Sequence, residues 1–292
     1  MSDETEGRLM DRILVGVDGS AAAQDALGWS ADLAARAGLE LVAARVFVPT
    51  QAELPPDQDA RLHERQQREL DEWCASLPPG TAGPRTLLVD GDPADALHAT
   101  AHAQDAGMLV VGGRGTGGFL HLHIGSVAHH LAHHTTLPLA IVPHSGAAPV
   151  RHVVVGLDGS PGSLAAAELC AELAAGVGVP ATAVHAAEPF AEWVPANDPH
   201  GWRHQAEADV RGWAAPIAKA GVRLDVDIDR DIHPVAAIAR ALERHPGSIA
   251  VVGTRGAGGF AGLRLGRVPL QLVHTTGAAV VLVPADEGAR SG

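Results

Sequence analysis

Lysine is nearly absent from this chain of 292 residues, in which Lys219 is the one example. P-loop kinases, Schiff-base enzymes and lysine-clamped phosphoryl transferases each need a lysine as a cation or an amine beside the reacting group. The sequence therefore argues against these three classes of enzyme.

Cysteines and long apolar runs are also scarce. Cys74 and Cys170 lie far apart in helical-looking segments, which fits buried thiols in a reducing compartment better than a disulfide framework. The segment through Asp11 is polar and acidic, and no run of about 18 apolar residues follows it anywhere. We therefore expect a cytoplasmic protein with no export signal and no membrane span.

The charge balance excludes a further group of partners. Lysine and arginine total 21 against 34 aspartates and glutamates, which gives a formal net charge of −13. Such a chain offers no broad attraction to a nucleic-acid backbone or to an anionic lipid surface, so neither partner is expected. The apolar content of 46% is typical of a globular chain that can bury full cores.

The two halves of the chain repeat each other. Residues 13–20 read ILVGVDGS and residues 153–160 read VVVGLDGS, so that Asp18 faces Asp158 at an offset of 140. Since about 150 residues make one domain, each half is predicted to be a domain. We place the domains at 1–147 and 148–292, with the boundary among small and polar residues near Ala147.

Within each half, short β-rich apolar runs alternate with alanine-rich stretches of helical period. This pattern is typical of βαβ units in a parallel sheet that is covered by helices on both faces. The strands of the first half are predicted at 13–17, 41–47, 85–89, 108–112 and 139–142. The sequence thus predicts an α/β fold with two repeated five-stranded parallel-sheet domains.

A glycine-rich segment follows the fourth predicted strand of each half. In the first half, Gly112, Gly115 and Gly125 are separated by two and then nine residues, and Ser126 begins a predicted helix. Glycine lets an anion approach backbone N–H groups, and the dipole at a helix N-terminus favours negative charge. The segment therefore predicts a phosphate-binding loop.

Asp18 ends the first predicted strand. Ligands of open parallel sheets bind beyond the carboxyl ends of the strands, so Asp18 should share a crevice with the glycine loop. There it could accept hydrogen bonds from a ribose or a base, or join the water shell of Mg²⁺. Alternatively, Asp-Gly-Ser is only a strand-to-helix turn. The residues alone do not choose among these roles.

Two other motifs compete with this interpretation. Gly113, Gly115 and Gly118 satisfy the GxGxxG string of dinucleotide sites, but they follow the fourth strand instead of the first, and Thr254 replaces Gly113 in the second half. The pairs His129 with His133 and His130 with His134 have a spacing that can chelate zinc. No cysteine lies nearby, and a solvated or partly packed helix face is the simpler explanation of this spacing, so we predict no metal ligands.

Taken together, the VGVDGS opening, the VVGGRG strand, the Gly-Ser pair at 125–126 and the final LAIVP strand resemble the universal stress protein family. The resemblance covers both halves. Gly112, Gly115, Gly125 and Ser126 match the ATP-binding motif of that family. The resemblance implies ATP in this loop, with Asp18 against the nucleotide, Val46 near adenine and Mg²⁺ accompanying ATP. It also implies a stress-linked or regulatory role and a possible homodimer.

The second half departs from the motif at one position. Asp158 and the glycines persist, but Arg267 stands where the family has serine or threonine. A guanidinium could bind phosphate, or it could occupy the anion site itself. We expect impaired binding in this half.

The predicted nucleotide-binding residues are Gly16, Asp18, Val46, Gly112, Gly113, Arg114, Gly115, Gly125, Ser126 and Val127, with Asp158, Gly253, Gly256 and Gly266 in the second half. The function expected from them is ATP binding with at most slow hydrolysis, and no catalytic residue is assigned. Two alternatives are an ATPase or adenylate-using transferase that employs His121, His123 or Arg114, and a scaffold protein without nucleotide.

Overall fold

The structure is a computed structural model that describes residues 10–48, 56–81, 83–115, 124–144, 148–187, 201–230, 232–256 and 265–285. The chain divides into two compact units, Met1–Pro149 and Val150–Gly292. These are called unit 1 and unit 2 below. The boundary that the sequence predicts near Ala147 lies outside the described residues.

Unit 1 alternates strands and helices along the chain. Its elements are β1 (Arg12–Gly16), α1 (Ala21–Ala37), β2 (Glu40–Phe47), α2 (Pro56–Ala75), β3 (Arg85–Asp90), α3 (Pro93–Ala103), β4 (Met108–Gly112), α4 (Ser126–His134) and β5 (Leu139–Val142). The strands lie in the order β3-β2-β1-β4-β5, and each neighbouring pair is parallel. The strand order reverses at β1, which lies between β2 and β4.

Unit 2 repeats this arrangement. Its elements are β6 (His152–Gly156), α5 (Pro161–Val177), β7 (Ala181–Ala187), α6 (Gly201–Trp213), α7 (Ala215–Lys219), β8 (Leu224–Arg230), α8 (Pro234–Arg244), β9 (Ser248–Gly253), α9 (Arg267–Thr275) and β10 (Val280–Val283). The strand order is β8-β7-β6-β9-β10, again with parallel neighbours. The predicted α/β fold with repeated five-stranded parallel sheets is confirmed.

Helices cover both faces of each sheet, which is why the central strands are buried along most of their length. Ile13, Leu14 and Val15 of β1 are all fully buried although successive side chains point to opposite faces. A Cβ on Gly112 would meet the backbone of α1, and a Cβ on Gly16 would meet Leu97 of α3. The two helices therefore pack against opposite faces.

The first helix of each unit begins and ends as its sequence dictates. Ser20 and Ser160 cap α1 and α5, each accepting a hydrogen bond from the N–H three residues on. Gly38 and Gly178 end these helices in the left-handed conformation, with φ of 67° and 69°. Capping at both ends thus fixes the first and last residues of the helix that follows β1 and of the helix that follows β6.

Both cysteines are free. Burial raises the pKa of the Cys74 thiol to about 11 and raises that of the fully buried Cys170 further. Both thiols are therefore protonated at neutral pH, which makes them poor nucleophiles and poor metal ligands. Across the described residues, no helix is long and apolar enough to cross a membrane.

Substitution of Gly112 by alanine is expected to destabilise unit 1 by about 1–3 kcal/mol, because the added Cβ overpacks the sheet against α1. That Cβ would lie 2.7 Å from the carbonyl carbon of Ala22. The matched control is Gly113→Ala, whose nearest neighbour would be Val142 O at 3.4 Å. Urea unfolding of both variants measures the difference. Equal stability of the two would show that α1 can shift without cost.

Candidate functional site

The predicted site residues of unit 1 collect where β1 and β4 end. Asp18 lies two residues beyond β1, and Gly113, Arg114 and Gly115 directly follow β4, which pairs with β1. In a parallel sheet these are carboxyl ends, and the reversal of strand order at β1 opens a crevice between the connections that leave there. The topology thus brings Asp18 and the glycine loop to one place.

The Asp18-Gly19-Ser20 turn is built largely by local forces. Oδ1 of Asp18 accepts a hydrogen bond from the N–H of Ser20 at 2.9 Å, and Gly19 has a φ of 82°. A Cβ on Gly19 would lie 2.7 Å from Cη2 of Trp73, so the indole covers the turn closely. The strand-to-helix turn therefore accounts for Gly19 and Ser20 without any ligand.

The second carboxylate oxygen of Asp18 faces the glycine loop. A Cβ on Gly115 would lie 2.5 Å from Oδ2 of Asp18. Only a residue without a side chain leaves this carboxylate in place, and both Asp18 and Gly115 are exposed to solvent. The glycine at 115 is thus required by the approach of Asp18, a contact that a simple turn does not explain.

Backbone hydrogen bonds close the loop onto itself. Gly113 donates its N–H to Val142 O at 2.7 Å, and its own carbonyl accepts the N–H of Gly125 at 2.7 Å. A Cβ on Gly125 would lie 3.3 Å from the backbone N of Gly115 and 3.5 Å from Cα of Arg114. Gly115 and Gly125 therefore lie close together, although nine residues separate them in the sequence.

Helix α4 begins at this contact. Gly125 is its N-cap and makes no side-chain capping bond, while Ser126 is exposed and Val127 is half-buried. The first N–H groups of a helix have no acceptor within the helix, and the helix dipole adds partial positive charge there. This end of α4 is chemically suited to an anion.

The other predicted residues of unit 1 have mixed roles. Gly16 and Gly112 lie inside the sheet, where their missing side chains make room for Leu97 and for α1. Arg114 is exposed, and its carbonyl accepts a hydrogen bond from Oγ of Ser20 at 3.2 Å. Val46 is half-buried near the end of β2, beside β1. Gly16 and Gly112 are thus explained by packing alone.

Unit 2 repeats the same geometry. A Cβ on Gly256 would clash with Oδ2 of Asp158, as at Gly115. Oδ1 of Asp158 accepts two bonds from Ser160, one from N–H at 3.0 Å and one from Oγ at 2.5 Å. Gly266 donates its N–H to Thr254 O at 2.7 Å, and its neighbour Arg267 is the exposed first residue of α9.

In each unit a tryptophan that is not among the predicted site residues lies against the glycine of the Asp-Gly-Ser turn. Trp73 of α2 covers Gly19, and the guanidinium of Arg45 lies 4.8 Å from the centre of its ring. In unit 2, Trp213 covers Gly159 and is met edge-on by His185, with ring centres 5.3 Å apart. The offset of 140 between the two tryptophans is the sequence signal that could have found them.

Three residues of the alternative sites cannot be placed. His121, His123 and Gly118 lie outside the described residues. Among the residues that the structure does describe, no group of three or more histidine, cysteine, aspartate or glutamate side chains is arranged to hold a metal ion.

Comparison with known proteins settles the family. The model of the universal stress protein family matches residues 10–143 and, a second time, residues 149–284. The chain belongs to the universal stress protein family. The two matches place the Asp18 site in the first family domain and the Asp158 site in the second.

Known universal stress proteins resemble this one over nearly its whole length. One from Mycobacterium tuberculosis (strain CDC 1551 / Oshkosh) is 28% identical over 316 residues, which covers 94% of this chain and 96% of the relative. One from Mycolicibacterium smegmatis is 27% identical over a match that covers 93% of this chain and 96% of the relative. The crystal structure of a universal stress protein from Archaeoglobus fulgidus DSM 4304 superposes with a TM-score of 0.70 at 19% sequence identity. The superposition covers 94% of this chain and 99% of the other, and it supports the fold.

Proposed function

We propose that unit 1 binds ATP, and that this universal stress protein acts as a nucleotide-responsive regulatory or stress-survival factor. The observation that supports the proposal most directly is the meeting of three features at one point. These are the bare backbone at Gly115 and Gly125, the N-terminus of α4 and the carboxylate of Asp18. Together they offer donors for polyphosphate and an acceptor for the nucleoside.

Each feature has a distinct role in the proposed complex. The first N–H groups of α4 and the hydroxyl of Ser126 would donate to phosphate oxygens, and Gly115 and Gly125 would let the phosphates approach the backbone. Asp18 would accept hydrogen bonds from ribose, and Val46 at the end of β2 would contact adenine. Mg²⁺ would neutralise part of the triphosphate charge, which matters in a chain of net charge −13.

The chain supplies little for fast chemistry on the bound nucleotide. Lys219 is the single lysine of the sequence, and it lies on α7 of unit 2. The thiols of both cysteines are protonated at neutral pH, because burial raises their pKa values. We therefore propose binding with at most slow hydrolysis. A cytoplasmic location, which suits two free thiols, and a homodimer are parts of the same proposal.

In unit 2 we propose weaker nucleotide binding or none. Arg267 takes the position of Ser126 at the start of the last helix, so a large cation replaces a small hydroxyl at the proposed phosphate position. Asp158 also accepts both bonds from Ser160, which occupy Oδ1 within the protein.

Calorimetric titration of nucleotide-free protein with Mg²⁺ and ATP tests this proposal. We expect about one ATP per chain, and phosphate release slower than about 1 per second. Retention of a different small molecule through purification, identified by mass spectrometry, would replace ATP in the proposal. Faster release would make the protein an ATPase, and no binding at all would leave a scaffold protein.

The variant Arg267→Ser restores the hydroxyl in unit 2 and should raise the titrated value to about two ATP per chain. Arg267→Ala is the matched control, because it removes the same guanidinium without adding a hydroxyl, and it should leave about one ATP per chain. Two ATP per chain in the parent protein would show that Arg267 itself serves as a phosphate ligand.

A further inference from the structure

Helices α3 and α4 pack against each other in unit 1, and a pair of histidines lies beside the end of α4. His98 and His102 are four residues apart on α3, and their Nε2 atoms are 3.2 Å apart. Their rings meet edge-on, with centres separated by 4.6 Å. Thr136, just beyond α4, places Oγ1 at 3.0 Å from Nε2 of His102 and at 3.4 Å from Nε2 of His98.

The distance between the two nitrogens matches that of a metal chelate. Two imidazole nitrogens bound to one tetrahedral zinc ion at about 2.0–2.1 Å are separated by about 3.3 Å. Residues at i and i+4 of a helix share one face, so the backbone of α3 holds the pair in this arrangement. We propose that His98 and His102 form a binding site for a divalent transition-metal ion of the zinc class.

The neighbouring histidines of α4 are turned to other partners. Nδ1 of His134 lies 2.9 Å from the carbonyl of His130, and Nε2 of His130 lies 3.4 Å from Oδ1 of Asp95. One nitrogen of each ring, Nε2 of His130 and Nδ1 of His134, therefore already contacts an oxygen of the protein. A metal ion shared by Nε2 of both rings would have to displace Asp95 from His130. The spacing of this pair in sequence equals that of His98 and His102, but its geometry does not.

Solvent completes the proposed site. His98 is half-buried, and His102 and Thr136 are exposed, so water can reach an ion held between the two rings and fill its remaining positions. Without metal, an Nε2–H of either ring can donate to the Nε2 of the other, and the tautomers of the two rings decide which one donates. In the complex both rings are neutral and carry their proton on Nδ1, so that each Nε2 presents a lone pair. The hydroxyl of Thr136 then accepts or donates to a metal-bound water.

The site is confined to unit 1. In the aligned helix α8, at the offset of 141 that relates later residues of the repeat, Ala239 and Glu243 replace His98 and His102. The site is also separate from the proposed nucleotide crevice, because it needs none of the residues around Asp18. Its test does not depend on whether ATP binds.

Calorimetric titration of the full chain with Zn²⁺, without nucleotide, tests the proposal. The tightest zinc site of the parent protein should weaken by about tenfold or more in His98→Gln and in His102→Gln, since each removes one of two nitrogen ligands. His130→Gln and His134→Gln are matched controls with the same spacing, and they should bind as the parent does. Circular dichroism of each variant verifies that it is folded.

A crystal soaked with Zn²⁺ and measured at the zinc absorption edge gives a second readout that needs no variant. Anomalous density between Nε2 of His98 and Nε2 of His102 is expected. The proposal is overturned if the parent binds no zinc or if the anomalous density lies at other residues. It is also overturned if the control variants lose as much zinc affinity as His98→Gln and His102→Gln do.

Discussion

Replacing Gly115 by valine is expected to abolish measurable ATP binding in unit 1. The Cβ would lie 2.5 Å from Oδ2 of Asp18, and the two methyl groups of valine need further room beside it. Backbone N–H groups bind an anion only where the anion can approach them. The affinity should therefore fall by about 100-fold or more, equivalent to about 2.7 kcal/mol. Calorimetric titration with Mg²⁺ and ATP measures this loss.

The variant should remain folded, because the clashing atom is the end of an exposed side chain that can rotate away. Gly256→Val is the matched control, since the same clash arises there with Asp158 in unit 2. This control should leave the affinity of unit 1 for ATP unchanged. If Gly115→Val binds ATP as the parent does, or if only Gly256→Val loses it, the nucleotide is not held between Asp18 and Gly115.

The spacing of the glycines in the sequence indicated the loop but not the reason for each glycine. Gly115 and Gly125 have no room for a side chain because Asp18 and the loop backbone approach them. Gly112 has the same place in the motif, yet its missing side chain makes room for the backbone of α1. No pattern within the segment distinguishes these cases, because the neighbour that fills the space comes from a distant part of the chain.

The fold was accessible from sequence for a different physical reason. Strand and helix periods and the repeat act locally or at a fixed offset, so β4 and β5 begin and end, and α4 begins, where the sequence predicts. The chelate-like geometry of His98 and His102 was not accessible. The spacing of four occurs in four histidine pairs of the sequence, and the rotamers of the rings distinguish this pair from His130 and His134.

The direction of the turn serine's hydroxyl was equally inaccessible from the sequence. Oγ of Ser20 donates to Arg114 O at 3.2 Å, and Oγ of Ser160 lies 3.3 Å from Arg255 O and 2.5 Å from Oδ1 of Asp158. Residue identity does not encode such side-chain rotations, because they depend on differences of a fraction of an ångström. Among the differences between the units that the sequence does display are Arg267 at the position of Ser126 and Thr254 at the position of Gly113.

A buried histidine in unit 2 should make that unit sensitive to acid. His152 at the start of β6 is 5% exposed, and its Nε2 lies 2.8 Å from Oγ1 of Thr182. Its ring stacks on His245 with centres 3.9 Å apart and an angle of 1° between the planes. Burial and then the neighbouring His245 lower the pKa of His152 from 6.5 to about 4, with Arg223 acting in the same direction and Asp225 against it.

The sign of the effect follows from proton binding in the two states. Below pH 6.5 the unfolded chain protonates His152, whereas the folded chain does not until the pH approaches about 4. The contribution of His152 to stability is therefore intact above pH 6.5 and is lost as the pH falls through that window. The total loss is about 3 kcal/mol, since one pKa unit corresponds to about 1.4 kcal/mol.

Urea unfolding of the parent and of His152→Gln at a series of pH values isolates this contribution. Glutamine can still bond to Thr182 but does not titrate, so the difference in free energy of unfolding between the two proteins should fall by about 3 kcal/mol between pH 7 and pH 4. Hydrogen exchange of β6 amides, corrected for intrinsic rates, reports the same change in unit 2 alone. The exposed His204, changed to glutamine, provides the control and should give no such difference. A constant difference across the range for His152→Gln would mean that folded His152 takes up its proton as readily as the unfolded chain does.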